Sequence, residues 1–110
     1  MKFKSHALKA SAEDACALLK ALANPHRLML VCSLIDGEQS VGALAEMVGV
    51  SKTLASQHLG LLRRDGVVAT RRDGQTIYYG LKSGRACTVI ETLSNLFCAV
   101  PDRAHPEGAL

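Results

Sequence analysis

The chain has 110 residues, 48% of them hydrophobic and 21% charged, with two Phe, two Tyr and no Trp, and its formal net charge is +3. That length suits one compact domain over residues 1–110 with its core at about 12–99, so flexibility is expected only at the two ends. Apolar runs stop at five residues, as at 28–32, far short of the roughly 20 needed to span a membrane, and the basic start leads into no apolar stretch, so the expectation is a cytoplasmic protein without membrane attachment.

Ser11 followed by Glu13 and Asp14 has the form of a helix start, with a cap and acids near the positive end of the dipole. Apolar Ala12, Ala15, Cys16, Leu19, Leu22 and Ala23 recur at three- and four-residue spacing and carry this first helix to about Ala23. Asn24-Pro25 opens a second helix over 26–35, because proline fits the first helical position, where its missing N–H has no partner to lose. Asp36-Gly37 ends it. Ser40 caps a short third helix with Val41, Leu44, Ala45 and Val48, and Gly49 stops that one.

Ser51 caps a fourth helix with an apolar stripe of Leu54, Ala55, Leu59, Leu61 and Leu62. Its other face carries Thr53, Ser56, Gln57, Gly60 and Arg64 at spacings that share one exposed surface, flanked by Lys52 and Arg63. After Asp65-Gly66, two strands at 67–72 and 75–81 surround Asp73-Gly74, a favoured two-residue hairpin turn. Ser83 caps a last helix whose apolar Ala86, Val89, Ile90, Leu93, Leu96 and Phe97 make a stripe too wide for one core contact, so part of it is available to a second subunit. The tail from Pro101 has little to pack and is expected to be mobile.

The charge is unevenly distributed. Residues 1–51 hold five basic and five acidic groups, residues 52–85 seven and two, and residues 86–110 one and three. A basic middle attracts polyanions, since steering depends on local rather than total charge. The architecture is mainly helical with a small β-hairpin, in the order α-α-α-α-β-β-α. A short helix, a turn at 49–51, a second helix with a polar outer face and a basic hairpin together read as a winged helix-turn-helix. The DNA major groove admits one helix, whose short amides and hydroxyls read base edges. Thr53, Ser56 and Gln57 suit that task, with Gln57 able to form paired hydrogen bonds to adenine. Lys52, Arg63, Arg64, Arg71 and Arg72 suit phosphates or the minor groove, and His58 and Gln75 complete the set expected at double-stranded DNA. His58 has packing against the protein as its other reading. A winged helix that binds protein instead remains the alternative from a different class. No nucleotide-binding loop or catalytic constellation is visible, so enzymatic activity is not expected.

The segments LLKALANPHRLMLVC (18–32), SVGALAEMVGVSKTLASQHLGLLRRDGVV (40–68) and ATRRDGQTIYYGL (69–81) resemble the ArsR/SmtB family of bacterial repressors over residues 12–98. The resemblance implies a homodimer joined through its first and last helices, two reading helices on a palindromic operator, and release of DNA by an inducer. Metal-sensing branches place a Cys-x-Cys pair on the third helix, where this chain reads SVGALAE, or Asp and His pairs on the last helix, where residues 86–99 hold neither. No metal site and no cofactor are therefore expected.

Cys32 and Cys98 resemble the cysteine pair of the family's persulfide-sensing branch, the SqrR, BigR and HlyU type, in spacing and in their Leu-Val-Cys and Leu-Phe-Cys surroundings. That likeness implies a redox switch in which a reactive sulfur species links the two thiols by a disulfide or polysulfide bridge. Each inserted sulfur adds roughly 2 Å to the reach of an ordinary disulfide. Cys16 and Cys87 depart from the two-cysteine pattern and are assigned to packing. A peroxide-driven dithiol switch, or induction by arsenite or another soft metal that also engages the extra cysteines, remains open.

Overall fold

The computed structural model describes residues 5–98. Its elements are α1 (Ser5–Ala10), α2 (Ala12–Leu22), α3 (Pro25–Cys32), β1 (Gln39–Ser40), α4 (Val41–Val48), α5 (Lys52–Arg64), β2 (Val68–Asp73), β3 (Thr76–Leu81) and α6 (Gly84–Phe97). The winged-helix class expected from the sequence is present, with two additions: α1, which places His6 in a helix rather than a loose end, and β1, which joins the hairpin in a three-stranded antiparallel sheet of order β1-β3-β2. The expectation for the tail from Pro101 lies outside the described residues.

Most of the helix starts follow from local chemistry. The Asn24 side chain accepts from the N–H groups of His26 and Arg27, with Pro25 at the first helical position. Ser40, Ser51 and Ser83 accept from Ala43, Leu54 and Arg85 respectively. Ser11 is the exception. Its side chain caps nothing, because its backbone N–H closes a turn onto the Leu8 carbonyl at 2.9 Å and continues from α1. Helix α3 stops at Cys32, earlier than the apolar pattern suggests, and the chain runs on through turns in which Leu34 and Ile35 donate to Val31 and Cys32.

The hairpin turn also sits one residue later than expected. Asp73 pairs with Thr76, leaving Gly74 and Gln75 as the loop. Gly74 takes φ +66° at the first central position and Gln75 remains at negative φ, the division of a type II′ turn. Gln75 is thus a turn residue, not the start of a strand.

One core cluster joins these elements. Leu30, Val31, Leu44, Leu59, Leu62 and Val68 are its largest fully buried side chains, and Ala86 and Ile90 bring α6 onto it. Cross-strand partners and residues two apart share a sheet face, so the pairing Val68 to Leu81, Thr70 to Tyr79 and Arg72 to Ile77 defines one face, and Ala69 to Gly80 with Arg71 to Tyr78 the other. Val68 is buried and Tyr79 and Leu81 pack on the core, making the first face the inner one. Arg72 therefore overhangs on the core side, whereas Arg71 stands on the outer face.

Candidate nucleic-acid interface

The α4–α5 connection is short and tightly closed. Gly49, in the left-handed conformation, ends α4, and both its N–H and that of Val50 reach the Ala45 carbonyl at 2.8 and 3.0 Å. Ser51 then starts α5 two residues on, its hydroxyl accepting from Leu54 at 3.0 Å. Ala55, Leu59 and Leu62 are fully buried on the inner side of α5, which fixes its rotation about its own axis. Lys52, Thr53, Ser56, Gln57, Gly60, Arg63 and Arg64 are all exposed on the remaining surface. The expected reading surface is thus assembled as a single face. No atom of the chain lies within 4 Å of where a Cβ on Gly60 would stand, so nothing inside the fold calls for a glycine there. Arg64 leans on its neighbour Asp65, Nε to Oδ1 at 3.3 Å, and stays largely exposed.

His58 is placed differently from its neighbours on α5. It is half-buried against the α2–α3 junction, where Arg27 Nη1 donates to its Nδ1 at 3.5 Å and the His26 ring lies 5.6 Å away. The same guanidinium holds the end of α2, with Nε on the Ala21 carbonyl at 2.7 Å and Nη2 on the Lys20 carbonyl at 3.3 Å. Burial, the Arg27 charge and His26 hold the His58 imidazole below its ordinary pKa. Of its two expected roles, the packing one is what this placement serves. The spacing carried that signal, since His58 stands four residues from both Leu54 and Leu62.

The two wing arginines are also unlike each other. Arg71 Nε and Nη2 both donate to Glu38 Oε1, at 2.9 and 2.8 Å, its Cζ lies 4.9 Å from the Tyr78 ring centre, and Asp73 stands at 3.9 Å. These carboxylates raise the Arg71 pKa above its already high value, Glu38 foremost. Arg72 makes no ion pair among the described residues and is exposed, as is Gln75 in the turn. Glu38 has no counterpart in the sequence reading, because it precedes a two-residue strand that is too short to show a period.

All four cysteines are free. Cys32 ends α3 and Cys98 closes α6, donating its N–H to the Ser94 carbonyl at 2.8 Å; both are exposed, as is Cys16. Helices α3 and α6 pack against each other. Cys87 alone is half-buried, and burial together with Glu91 and Asp36 pushes its thiol pKa up. A raised thiol pKa lowers the thiolate fraction. No group of three or more His, Cys, Asp or Glu suited to a metal ion occurs among the described residues. None of the described helices is long and apolar enough to cross a membrane.

Comparison with known proteins gives the same picture. The model of the arsR family of bacterial regulatory proteins matches residues 24–70. The chain is 44% identical over 91 residues to the transcriptional activator HlyU of Vibrio cholerae, covering 83% of this chain and 84% of that one. Among solved structures, the transcriptional repressor BigR from Xylella fastidiosa superposes with a TM-score of 0.84 at 40% identity, over 89% of this chain and all of that one. A homodimeric winged helix-turn-helix DNA-binding domain from Mycobacterium bovis gives 0.71 at 30% identity, over 87% and 89% of the two chains.

Fold and relatives together define a DNA-binding transcriptional regulator of the winged-helix type, not an enzyme. The chain belongs to the arsR family of bacterial regulatory proteins.

Proposed function

We propose that the chain is a cytoplasmic, homodimeric transcriptional repressor, one winged-helix domain, whose grip on operator DNA is released when reactive sulfur links Cys32 to Cys98. The observation that carries the DNA half is the single exposed face of α5, where Thr53, Ser56 and Gln57 stand opposite a fully buried stripe. These side chains address the major groove, while Lys52, Arg63, Arg64, Arg72 and Gln75 address the backbone. The open space over Gly60 lets the DNA backbone approach α5. Dimerisation is supported by apolar side chains left uncovered on the first two helices and the last, Leu8 at 48% exposure, Leu19 at 57%, Leu96 at 70% and Phe97 at 79%. Large exposed apolar groups that lie together mark association surfaces.

The sensing half is supported by two exposed free thiols at the ends of two helices that pack together, and by the likeness of the chain to BigR and HlyU. In the reaction, one thiolate takes the outer sulfur of a low-molecular-weight persulfide, RSSH, and RS⁻ departs. The second thiolate attacks the first cysteine's own Sγ and expels the added sulfur as hydrosulfide, leaving a disulfide. If both cysteines carry an added sulfur, their condensation expels hydrosulfide and leaves a three-sulfur bridge. Two cysteines are oxidised and the added sulfur is reduced.

Mass spectrometry after separate treatment with a persulfide, peroxide, a disulfide and arsenite tests the assignment. A Cys32–Cys98 bridge formed by the persulfide is the expected product, and a lasting arsenite adduct without it would replace the sulfur reading by the soft-metal one. Cys98→Ser should bind DNA as the parent does yet no longer be released by persulfide. Release in the parent should weaken binding by about 1–3 kcal/mol, the usual scale of coupling between sites; normal release of Cys98→Ser would remove this pair as the sensor.

A further inference from the structure

We propose that Glu38 and Arg71 form a strut that sets the angle of the wing, so that Arg71 serves DNA binding as a positioning residue rather than as a phosphate contact. The proposal rests on the DNA-binding reading of this chain and goes beyond it. Neighbouring arginines at the tip of a hairpin look equivalent in sequence, yet strand geometry sends them to opposite faces. Arg72 points to the core side with no ion partner among the described residues; Arg71 points outward and is held by Glu38.

The sheet is shaped to let that contact form. Glu38 immediately precedes β1, whose partners on β3 are Tyr79 for Gln39 and Tyr78 for Ser40, which sets Glu38 beside Gly80. To meet Arg71 on β2, the Glu38 side chain has to cross β3. A Cβ on Gly80 would stand 3.1 Å from Glu38 Cγ, tighter than ordinary contacts, and 3.7 Å from Oε2. Glycine leaves that path clear. Beyond Gly80, the Arg71 guanidinium lies over the Tyr78 ring, and Glu38 Oε1 takes two of its donors. The loop after α3, strand β3 and strand β2 are thereby tied together on the outer face, while the inner face is fixed by Val68 and Leu81. An isolated two-stranded hairpin is marginally stable in water, and this tie gives the outer half of the wing a second anchor.

Charge makes the proposal testable. A phosphate-binding arginine contributes to the salt dependence of affinity through released counterions, about 0.9 in the log–log slope for each phosphate neutralised on duplex DNA. A positioning arginine already paired with a carboxylate does not. The probe is a short duplex enriched by the wild-type chain from a random-sequence library, with affinity measured across a salt series. Arg71→Gln and Glu38→Ala should each weaken binding about fivefold, the scale of coupling within one contact network, and leave the slope unchanged. The Glu38→Ala result is the sharper one, since removing a negative charge near DNA otherwise tightens binding. Glu38→Gln, which keeps an acceptor for Arg71, should lose less, and the exchange of Glu38→Arg with Arg71→Glu should recover most of the affinity. Arg72→Gln should reduce the slope. Tighter binding by Glu38→Ala, a slope reduced by Arg71→Gln as by Arg72→Gln, or unchanged affinity in both single variants would each overturn the strut. Failure of the wild-type chain to enrich any duplex is a distinct result, which would remove the DNA reading and the strut with it.

Discussion

The reading helix and the wing extend from one body by different physical means. Helix α5 places three side chains, Ala55, Leu59 and Leu62, wholly inside the core, so its outer face is aimed by packing. The wing is packed only at its base: Val68 is 1% exposed, and every residue of β2 from Arg71 to Asp73 is exposed. Its outer half is held by ladder hydrogen bonds and by the solvent-facing ion pairs of Arg71 with Glu38 and Asp73. Burial is insensitive to ionic strength, whereas exposed charges are screened. On the proposed function, the element that registers hydroxyls and amides against base edges is the one that is packed, and the wing is held further out by charge.

The largest expected effect separates the two by stability. Leu59→Ala should cost about 2–5 kcal/mol, the range for removing a buried leucine side chain, whereas Ile77→Ala near the wing tip should stay within about 0.5 kcal/mol, as exposed substitutions do. Urea unfolding of the two variants measures both. A comparable loss from the two would mean that the wing contributes to the cooperative core. The next effect reverses the order of observables. Gln57→Ala should leave unfolding almost unchanged and cost about 1–3 kcal/mol in binding a preferred duplex, the range for one bidentate base contact. The ratio of preferred to random duplex affinity should fall with it. Equal losses on both duplexes would assign Gln57 to the backbone instead of a base.

What the sequence shows of this molecule is what neighbours in the chain determine. The caps at Asn24, Ser40, Ser51 and Ser83 lie within three residues of the N–H groups they satisfy, and the Ala55, Leu59 and Leu62 stripe repeats at helical spacing. Both are legible without a structure. The turn shifted by one position because Gly74 takes the first central place, which leaves Asp73 to pair with Thr76. Helix α1 buries no side chain, and β1 has two residues, so neither has a pattern to read. The Glu38–Arg71 pair joins residues 33 apart, and Arg27 meets His58 across 31. Contacts of that separation come from the fold: spacing sets the faces on which His58 and Arg71 stand, but not the partners they meet there.

The smallest expected effect concerns that second long-range contact, underneath the reading helix. An arginine can only donate, so His58 Nδ1 accepts from Arg27 and the neutral ring carries its proton on Nε2. Protonating His58 removes this acceptor and places a positive charge beside Arg27 and near His26. Its folded pKa is accordingly below the ordinary value of 6.5. The unfolded chain then binds more protons than the folded one between the two pKa values, and stability rises with pH through that window. The contribution is complete above 6.5 and is lost as pH falls from there through the folded pKa. Unfolding followed from about pH 8 to about pH 5, where histidine titrates, should show a steeper acid loss for the wild-type chain than for His58→Gln. The His58→Gln chain lacks this imidazole, so the difference between the two curves reports its contribution. Parallel curves would mean that the imidazole is as readily protonated in the folded chain as outside it, and that packing alone, with no electrostatic term, joins α5 to the α2–α3 junction.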